Sequence, residues 1–281
     1  MWAILGGSGF EKFDGFNVVE EVIVDTPFGA PSAAIQKILI NDTPALFLSR
    51  HGKHHEYSPS HVNYCANIFA LKKLGASKIL SLTAVGSLRK ELAPGDCVLP
   101  IQYIDRTKAL RQHTFCSKGI VGHVSLAHPV DRFLAKQAKE ILSDTDFTIH
   151  FDKTYVCIEG PTFSTQAESH QYRQLGADVI GMTGFPEVAL AREAGLYYLP
   201  FSFVTDYDSW DDTIEHVTLA QVLEVMRKNN AKAFALIQKI IPQTHQLVTK
   251  GCAEQGLKNG LMTPMASLSP EVQSWLQILT Q

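Results

Sequence analysis

The chain reads as a single-domain α/β protein. Two observations predict this. Short apolar runs alternate with segments whose apolar residues recur at helical spacing. No linker, internal repeat or low-complexity block divides the 281 residues, so we treat 1–281 as one domain.

The elements follow in order. Met1 to Leu5 is a short buried strand that runs into Gly6-Gly7-Ser8-Gly9. AAIQKILINDTPALFLSRHG reads as two strands about an Asn41-Asp42 turn. In HVNYCANIFALKKLG, Val62, Ala66, Phe69, Ala70 and Leu74 recur at helical spacing, and Gly75 stands where a helix C′ glycine belongs. SKILSLTAVGSL is a near-continuous apolar run, as a strand covered on both faces should be. APGDCVLPIQYI is a turn and a strand, PVDRFLAKQAKEIL an amphipathic helix, and KTYVCIE a strand ending at the GPTFST loop. AESHQYRQLG is a helix and ADVIGMT a strand. PEVALAREAG is a helix with Pro186 at N1, and LYYLPFSFVTD is a long apolar strand. TLAQVLEVMRKNNAKAFALIQKII is the longest helix. The tail from about 243 to 281 is irregular until SPEVQSWLQIL, a helix capped by Ser269 with Pro270 at N1.

Composition narrows the function. With 45% hydrophobic and 19% charged residues and a net charge of −3, the chain resembles an ordinary soluble protein and lacks the basic excess that attracts nucleic acid or anionic membranes. No apolar run reaches the ~18 residues of a membrane span. The N-terminus carries no signal-peptide pattern. The five cysteines are scattered without a CxxC pair, which points to a reduced, cytoplasmic protein with neither disulfides nor a cysteine-based zinc site.

Ligands of such sheets gather at strand ends. There the sequence offers Gly6-Gly7-Ser8-Gly9, Arg50-His51, Thr83-Ala84, Phe163-Ser164, Met182-Thr183 and Asp206 with Asp208. Ser8, Thr83 and Thr183 offer hydroxyls, and Gly9 and Ala84 offer amides. Arg50 offers a bidentate fork and His51 one further donor. Each has a plainer explanation alone, as a turn or a solvated side chain; their concentration at the strand ends of one sheet is what suggests an anion site. GGSG is not GxGxxG, and no acidic residue follows at the spacing a nicotinamide cofactor needs. It is not the GxSxG of a serine hydrolase either. HGKHHEYSPSH holds four histidines, but its proline and glycine oppose the helix that would align His51 with His55 on a metal, and a loop bordering the anion pocket is favoured. A dinucleotide-dependent oxidoreductase and a noncatalytic nucleoside-binding protein remain rival classes. Asp206 and Asp208 read either as a turn or cap, or as a base-recognising pair in which a protonated carboxyl acts as general acid on a leaving base.

GGSG, SRHG, HVNYCANIFALKKLGA, LTAVGSLR, PGD, IDRT, EGPTFSTQAE, LGADVIGMTGFPEVALAREAG and TDYDSW follow one another in an order and spacing that resembles the trimeric purine nucleoside phosphorylases over roughly residues 2 to 240. The similarity is strongest to the branch acting on 5′-methylthio nucleosides. The resemblance implies a three-layer fold with a central mixed, twisted sheet flanked by helices. It also implies a homotrimer with no metal or organic cofactor, and free phosphate as co-substrate. Phosphate contacts carry over to Ser8, Arg50, His51, Thr83, Ala84 and Thr183. Phe163 and Ser164 fall beside the base, Met182 under the ribose, and Asp206 and Asp208 at the base, with Asp206 as proton donor. The carboxylate at 206 and the serine at 164 match 6-aminopurine enzymes; 6-oxopurine enzymes carry asparagine and glutamate there. Leu219 and Val222 match the apolar wall of the 5′ substituent, though both also fit the buried stripe of their helix. His123 matches a residue that reaches a neighbouring subunit's site.

The expected reaction is phosphorolysis of 5′-methylthioadenosine, with methylthioinosine or a 6-oxopurine nucleoside as the alternative. Gly181 and Gly184-Phe185 depart from the animal adenosine-type pattern. A bacterial subgroup with a similar GMTG stretch prefers methylthioinosine but lacks the TDYD pair. The tail after about 243 matches poorly, leaving Leu261 and Met262 as candidates for closing the 5′ pocket.

Overall fold

The computed structural model describes residues 1–13, 15–107, 110–117, 119–211, 219–249 and 256–281, without the side chains of 219–223. Its strands are β1 (Trp2–Gly6), β2 (Asn17–Val22), β3 (Ile35–Ile40), β4 (Thr43–Ser49), β5 (Lys78–Ser87), β6 (Cys97–Arg106), β7 (Ile149–Ile158), β8 (Val179–Gly181) and β9 (Tyr197–Asp206). Its helices are α1 (Tyr64–Lys73), α2 (Arg132–Ile141), α3 (Gln166–Gln174), α4 (Gly184–Glu193), α5 (Leu219–Ile240), α6 (Gly256–Gly260) and α7 (Pro270–Thr280).

The strands form one mixed sheet in the order β2-β3-β4-β1-β5-β8-β7-β6-β9. Because β9 also pairs with β5, the last five strands of that order close on themselves. β1 lies parallel between β4 and β5, and β5 lies parallel to β9. The carboxyl ends of these four strands therefore share one edge of the sheet, where the candidate residues stand. All five residues of β1 are buried, which explains why it reads as an unbroken apolar run.

Local chemistry accounts for the boundaries. Asn41 and Asp42 both have positive φ (47° and 62°), the signature of a tight two-residue hairpin between β3 and β4. Asn63 caps α1 by accepting from the Ala66 amide, and Gly75 ends it at φ 89°. Thr165 and Glu168 form a reciprocal capping box on α3, Asp131 caps α2, and Ser269 with Pro270 opens α7.

Two features depart from the sequence reading, and α4 keeps to it. β2 went unpredicted: it is an edge strand exposed along its length, so NVVEEV shows no inward alternation, and it pairs only with β3. α4 spans Gly184–Glu193, but Phe185 is non-helical (φ −114°, ψ 141°), so its regular turns start at Pro186, the N1 position expected of it. The tail adds α6 and a 3₁₀ turn at Met265–Ser267 before α7. It packs on α1 and α4, where the Trp275 indole meets Phe28 edge-on at 5.2 Å.

Gly181 has a spatial reason rather than a conformational one. A Cβ there would lie 2.0 Å from the Tyr155 hydroxyl, which is fully buried. Tyr155 thus fills the volume that a side chain at 181 would need. Gly181→Ala should destabilise the fold by about 1–3 kcal/mol through overpacking, read as a lower urea midpoint, and adding Tyr155→Leu should recover part of the loss. A wild-type midpoint for Gly181→Ala would contradict this packing account.

Candidate active site

Where β1 ends, its glycine turn is folded back onto two neighbouring strands. The Gly7 amide donates to the Leu82 carbonyl (3.1 Å), and the Arg50 amide to the Gly6 carbonyl (2.8 Å). Phe10 N–H closes the turn on Gly7 O, and Asn230 of α5 donates to Gly9 O at 2.7 Å. A Cβ on Gly7 would sit 2.4 Å from Arg50 Nη1, so only glycine lets the guanidinium lie directly behind the turn. Ser8 is half-buried on the turn's open side.

Arg50 is not the free bidentate fork that the sequence suggested. It is fully buried, and Nε and Nη2 grip the two carboxylate oxygens of Glu187 at 2.5 and 2.8 Å. Nη2 also donates to Ser81 Oγ (2.7 Å) and Nη1 to Leu82 O (2.9 Å). Four of its five donors are thus committed, leaving one N–H, on the nitrogen that abuts Gly7. Glu187 Oε1 also accepts from Ser81 and Tyr198, both at 2.8 Å. Burial disfavours the arginine's charge, but the adjoining Glu187 carboxylate holds it firmly protonated. The arginine therefore brings a mostly neutralised charge and one directed hydrogen bond.

His51 is corrected as well. Its Nδ1 lies 2.8 Å from the Tyr57 carbonyl, so Nδ1 carries the proton and Nε2 is the acceptor. Burial and the neighbouring Arg50 push its pKa down to about 4. At neutral pH the ring offers an acceptor, not the predicted donor. It stacks on His55 at 4.5 Å, and His55 is bound to Glu11 just past the glycine turn (2.8 Å).

Thr83 and Ala84 lie inside β5 rather than at its end. They stand one and two residues past the last pairing with β1, beside the glycine turn. Thr83 Oγ1 donates to Ser202 Oγ on β9 (2.9 Å), which leaves its lone pairs as the available function. Thr183 immediately precedes α4 and makes no side-chain cap bond. The Phe185 amide behind it donates to Cys157 Sγ (3.3 Å) and Pro186 has no N–H, so the Thr183 hydroxyl is what this turn offers an anion.

The carboxyl pair lies at the end of β9. Asp206 is in register with Gly86, where a Cβ would come within 3.0 Å of Asp206 Oδ1. Asp206 Oδ2 accepts from Thr205 Oγ1 (2.7 Å) and Oδ1 from the Asp208 amide (2.9 Å). Asp208 stands at φ 49°. Its Oδ2 and Ser164 Oγ are both buried without a protein hydrogen-bond partner. Ser209 Oγ donates to Ser164 O (3.1 Å), tying the 160–164 loop to this pair. Met182 packs against Gly160 at the root of that loop, while Phe163 at its tip is 78% exposed.

The 5′ side is less complete. Leu219 and Val222 begin α5, but their side chains lie outside the described residues. His123 is exposed on a segment that pairs with the tail: its amide donates to Gly260 O (2.8 Å), Gly122 bridges Leu261, and the Met262 amide donates to Val121 O. That segment borders a separate cavity of about 400 Å³ with His113, Cys116 and Glu193. Among the described residues no group of three or more His, Cys, Asp and Glu could hold a metal ion, and no helix is long and apolar enough to cross a membrane.

Burial pushes both Asp206 and Asp208 above the usual carboxylate range. The native state then holds protons that the unfolded chain releases near pH 3.8, so stability falls as pH rises from 3.8 through the raised native values. Asp208→Asn should therefore raise the denaturation midpoint at pH 7, and the gap should close below about pH 4, where both states are protonated. An equal or lower midpoint at pH 7 would reject the buried-charge reading.

The comparisons with known proteins agree with this geometry. The profile of the phosphorylase superfamily matches residues 2–242. An S-methyl-5′-thioadenosine phosphorylase of Geobacter sulfurreducens is 38% identical over 276 residues, covering 98% of this chain and 96% of its own. One from Thermococcus kodakarensis is 47% identical over 251 residues, 89% of this chain and 95% of its own. Among solved structures, a methylthioadenosine phosphorylase from an antarctic soil metagenomic library superposes with a TM-score of 0.90 at 40% identity, covering 99% of this chain and 98% of its own. The Schistosoma mansoni methylthioadenosine phosphorylase in complex with adenine reaches 0.83 at 34% identity, covering 90% and 93%. The mixed sheet, the strand-end site and these matches make this chain a member of the phosphorylase superfamily.

Proposed function

We propose that the chain catalyses phosphorolysis of 5′-methylthioadenosine, giving adenine and 5-methylthioribose 1-phosphate. The observation that carries this reading is the half-buried Asp206–Asp208 pair opposite Ser164, on the same sheet edge as the glycine turn, Arg50, Thr83 and Thr183. It suits a base bearing an amino donor at one end and an anion at the other. The relatives' names and the adenine complex of the Schistosoma enzyme support the same substrate class.

In this mechanism the C1′–N9 bond stretches first, and its electron pair moves into the base. The ribosyl group becomes oxocarbenium-like, as in glycoside hydrolysis. Phosphate, held by the Ser8 and Thr183 hydroxyls and the Ala84 amide, with the Thr83 lone pairs toward a protonated oxygen, stabilises that cation and then bonds C1′ through one oxygen. The single free Arg50 N–H donates to it, and His51 Nε2 accepts from a protonated phosphate oxygen. Asp206, whose carboxyl burial raises above its usual range, delivers a proton to N7 of the leaving base, while Asp208 accepts from the exocyclic amine. Phosphate is the co-substrate, and no cofactor takes part.

The chain works as a homotrimer in this reading. Leu219 and Val222 face the methylthio group, and a partner subunit's His123, carried with Leu261 and Met262, reaches the 5′ side. The exposed Phe163 is covered when the base binds. The compartment is the reducing cytoplasm, which suits the free cysteines Cys65, Cys97, Cys116 and Cys157.

A parallel assay of base release from methylthioadenosine, methylthioinosine, adenosine and inosine, with and without phosphate, tests the reading. Methylthioadenosine should be the preferred substrate, and only in phosphate. Asp206→Asn should cut kcat/KM for the adenine nucleoside by about 100-fold or more and move the ratio toward the 6-oxopurine. A wild-type preference for methylthioinosine would reassign the substrate, and an unchanged ratio in Asp206→Asn would remove that residue's role.

A further inference from the structure

Arg111 lies in none of the roles above, yet it spends every donor it has on the two segments that flank the site. Its side chain is 1% exposed. Nη1 donates to the carbonyls of Met182 and Phe185, both at 2.6 Å, one on each side of Thr183 and Gly184. Nη2 donates to the carbonyls of Glu159 (2.8 Å) and Ile158 (3.4 Å), and Nε to the Glu159 carboxylate (3.0 Å). Five N–H groups thus meet five oxygens. Ser60 Oγ secures the same Glu159 carboxylate from the far side, and the guanidinium lies 5.6 Å over the Tyr64 ring of α1.

Those oxygens belong to two functionally different pieces. The Met182–Phe185 turn carries Thr183, which faces phosphate, and Met182, which faces the ribose. Ile158 ends β7 and Glu159 leads into the 160–164 loop, which carries Phe163 and Ser164 to the base. The first piece is ordered by α4; the second ends in an aromatic that is 78% exposed. We propose that Arg111 is a positioning residue that couples the phosphate turn to the base loop, so that an anion bound at Thr183 tightens binding of the nucleoside.

The physical route is short. An anion that fixes the Thr183 turn fixes the carbonyls on either side of it. The rigid planar guanidinium then holds the Ile158–Glu159 carbonyls in register with them. The nucleoside then meets a base loop whose root is already held in place, and has only the exposed Phe163 at its tip left to order, which appears as positive cooperativity. Lysine cannot replace the arginine, because one ammonium with three donors cannot span both pairs of carbonyls.

The inference rests on the phosphorylase reading, and sulfate, an unreactive tetrahedral anion, separates the two. Isothermal titration of methylthioadenosine into the wild-type protein, with and without sulfate, should show at least about fivefold tighter binding with the anion, a modest coupling. In Arg111→Lys, sulfate should still bind alone, but the ratio should fall to within about twofold of unity. Glu159→Gln weakens the Nε bond that aims the guanidinium plane at both pairs of carbonyls, so it should give an intermediate ratio in a folded protein even if Arg111→Lys does not fold. A wild-type protein with no anion effect on the nucleoside, or a full wild-type ratio in Arg111→Lys or in Glu159→Gln, overturns the coupling. Loss of the phosphorylase reading looks different: the wild-type protein would then release no adenine in phosphate.

Discussion

The buried Arg50–Glu187 pair is the interaction on which the rest of the site depends. It joins the end of β4 to α4 with no solvent at either partner. Ser81 and Tyr198 add β5 and β9 to the same carboxylate. An unpaired charge here would be costly, about 3–5 kcal/mol when one partner of such a pair is removed. The pair therefore fixes where α4 begins relative to the glycine turn, and with it the distance between Ser8 and Thr183. It also sets the electrostatics. A fully exposed arginine fork would bind phosphate tightly in both ground and transition states, whereas a neutralised guanidinium with one free N–H positions the anion with less charge attraction. That suits a nucleophile that must leave its site to bond carbon.

At the other end of the site the logic reverses. Asp206 and Asp208 are crowded at one strand end and desolvated, and burial raises both. Their cost to folding is the property that chemistry uses, since burial that favours the protonated carboxyl also favours an acid toward a leaving base. Gly86, where a Cβ would meet Asp206 Oδ1 at 3.0 Å, is the small residue that lets this crowding occur. Stability and function pull in opposite directions at these positions, as is common at catalytic sites.

Most of the architecture was legible in the sequence because it rests on local rules. The Asn41-Asp42 hairpin, Gly75, the Ser269 cap and the apolar runs of β1, β5 and β9 each declare themselves within a few residues. β2 did not, because both of its faces meet solvent and nothing imposes a period. The candidate residues were expected at strand ends, and Thr83 and Ala84 instead lie inside β5; the hydrogen bonds that set the site's chemistry left no local trace. Which donors Arg50 retains depends on a glutamate 137 positions away, and which nitrogen of His51 carries the proton depends on the Tyr57 carbonyl. Glu187 itself lay inside an apolar helix segment, where a single buried acid opposite an arginine was the only available signal. The clamp on Arg111 left even less trace, since its partners are backbone carbonyls that no sequence distinguishes.

The central claim is that free phosphate, held between the glycine turn and α4, is the nucleophile. The most direct measurement is turnover of methylthioadenosine by the wild-type protein in ¹⁸O-labelled water with unlabelled phosphate, analysed by mass spectrometry. The account predicts methylthioribose 1-phosphate equimolar with adenine and free of heavy oxygen, because every oxygen on the product phosphate comes from the anion. Free methylthioribose carrying ¹⁸O at C1′, formed at the same rate without phosphate, would contradict it.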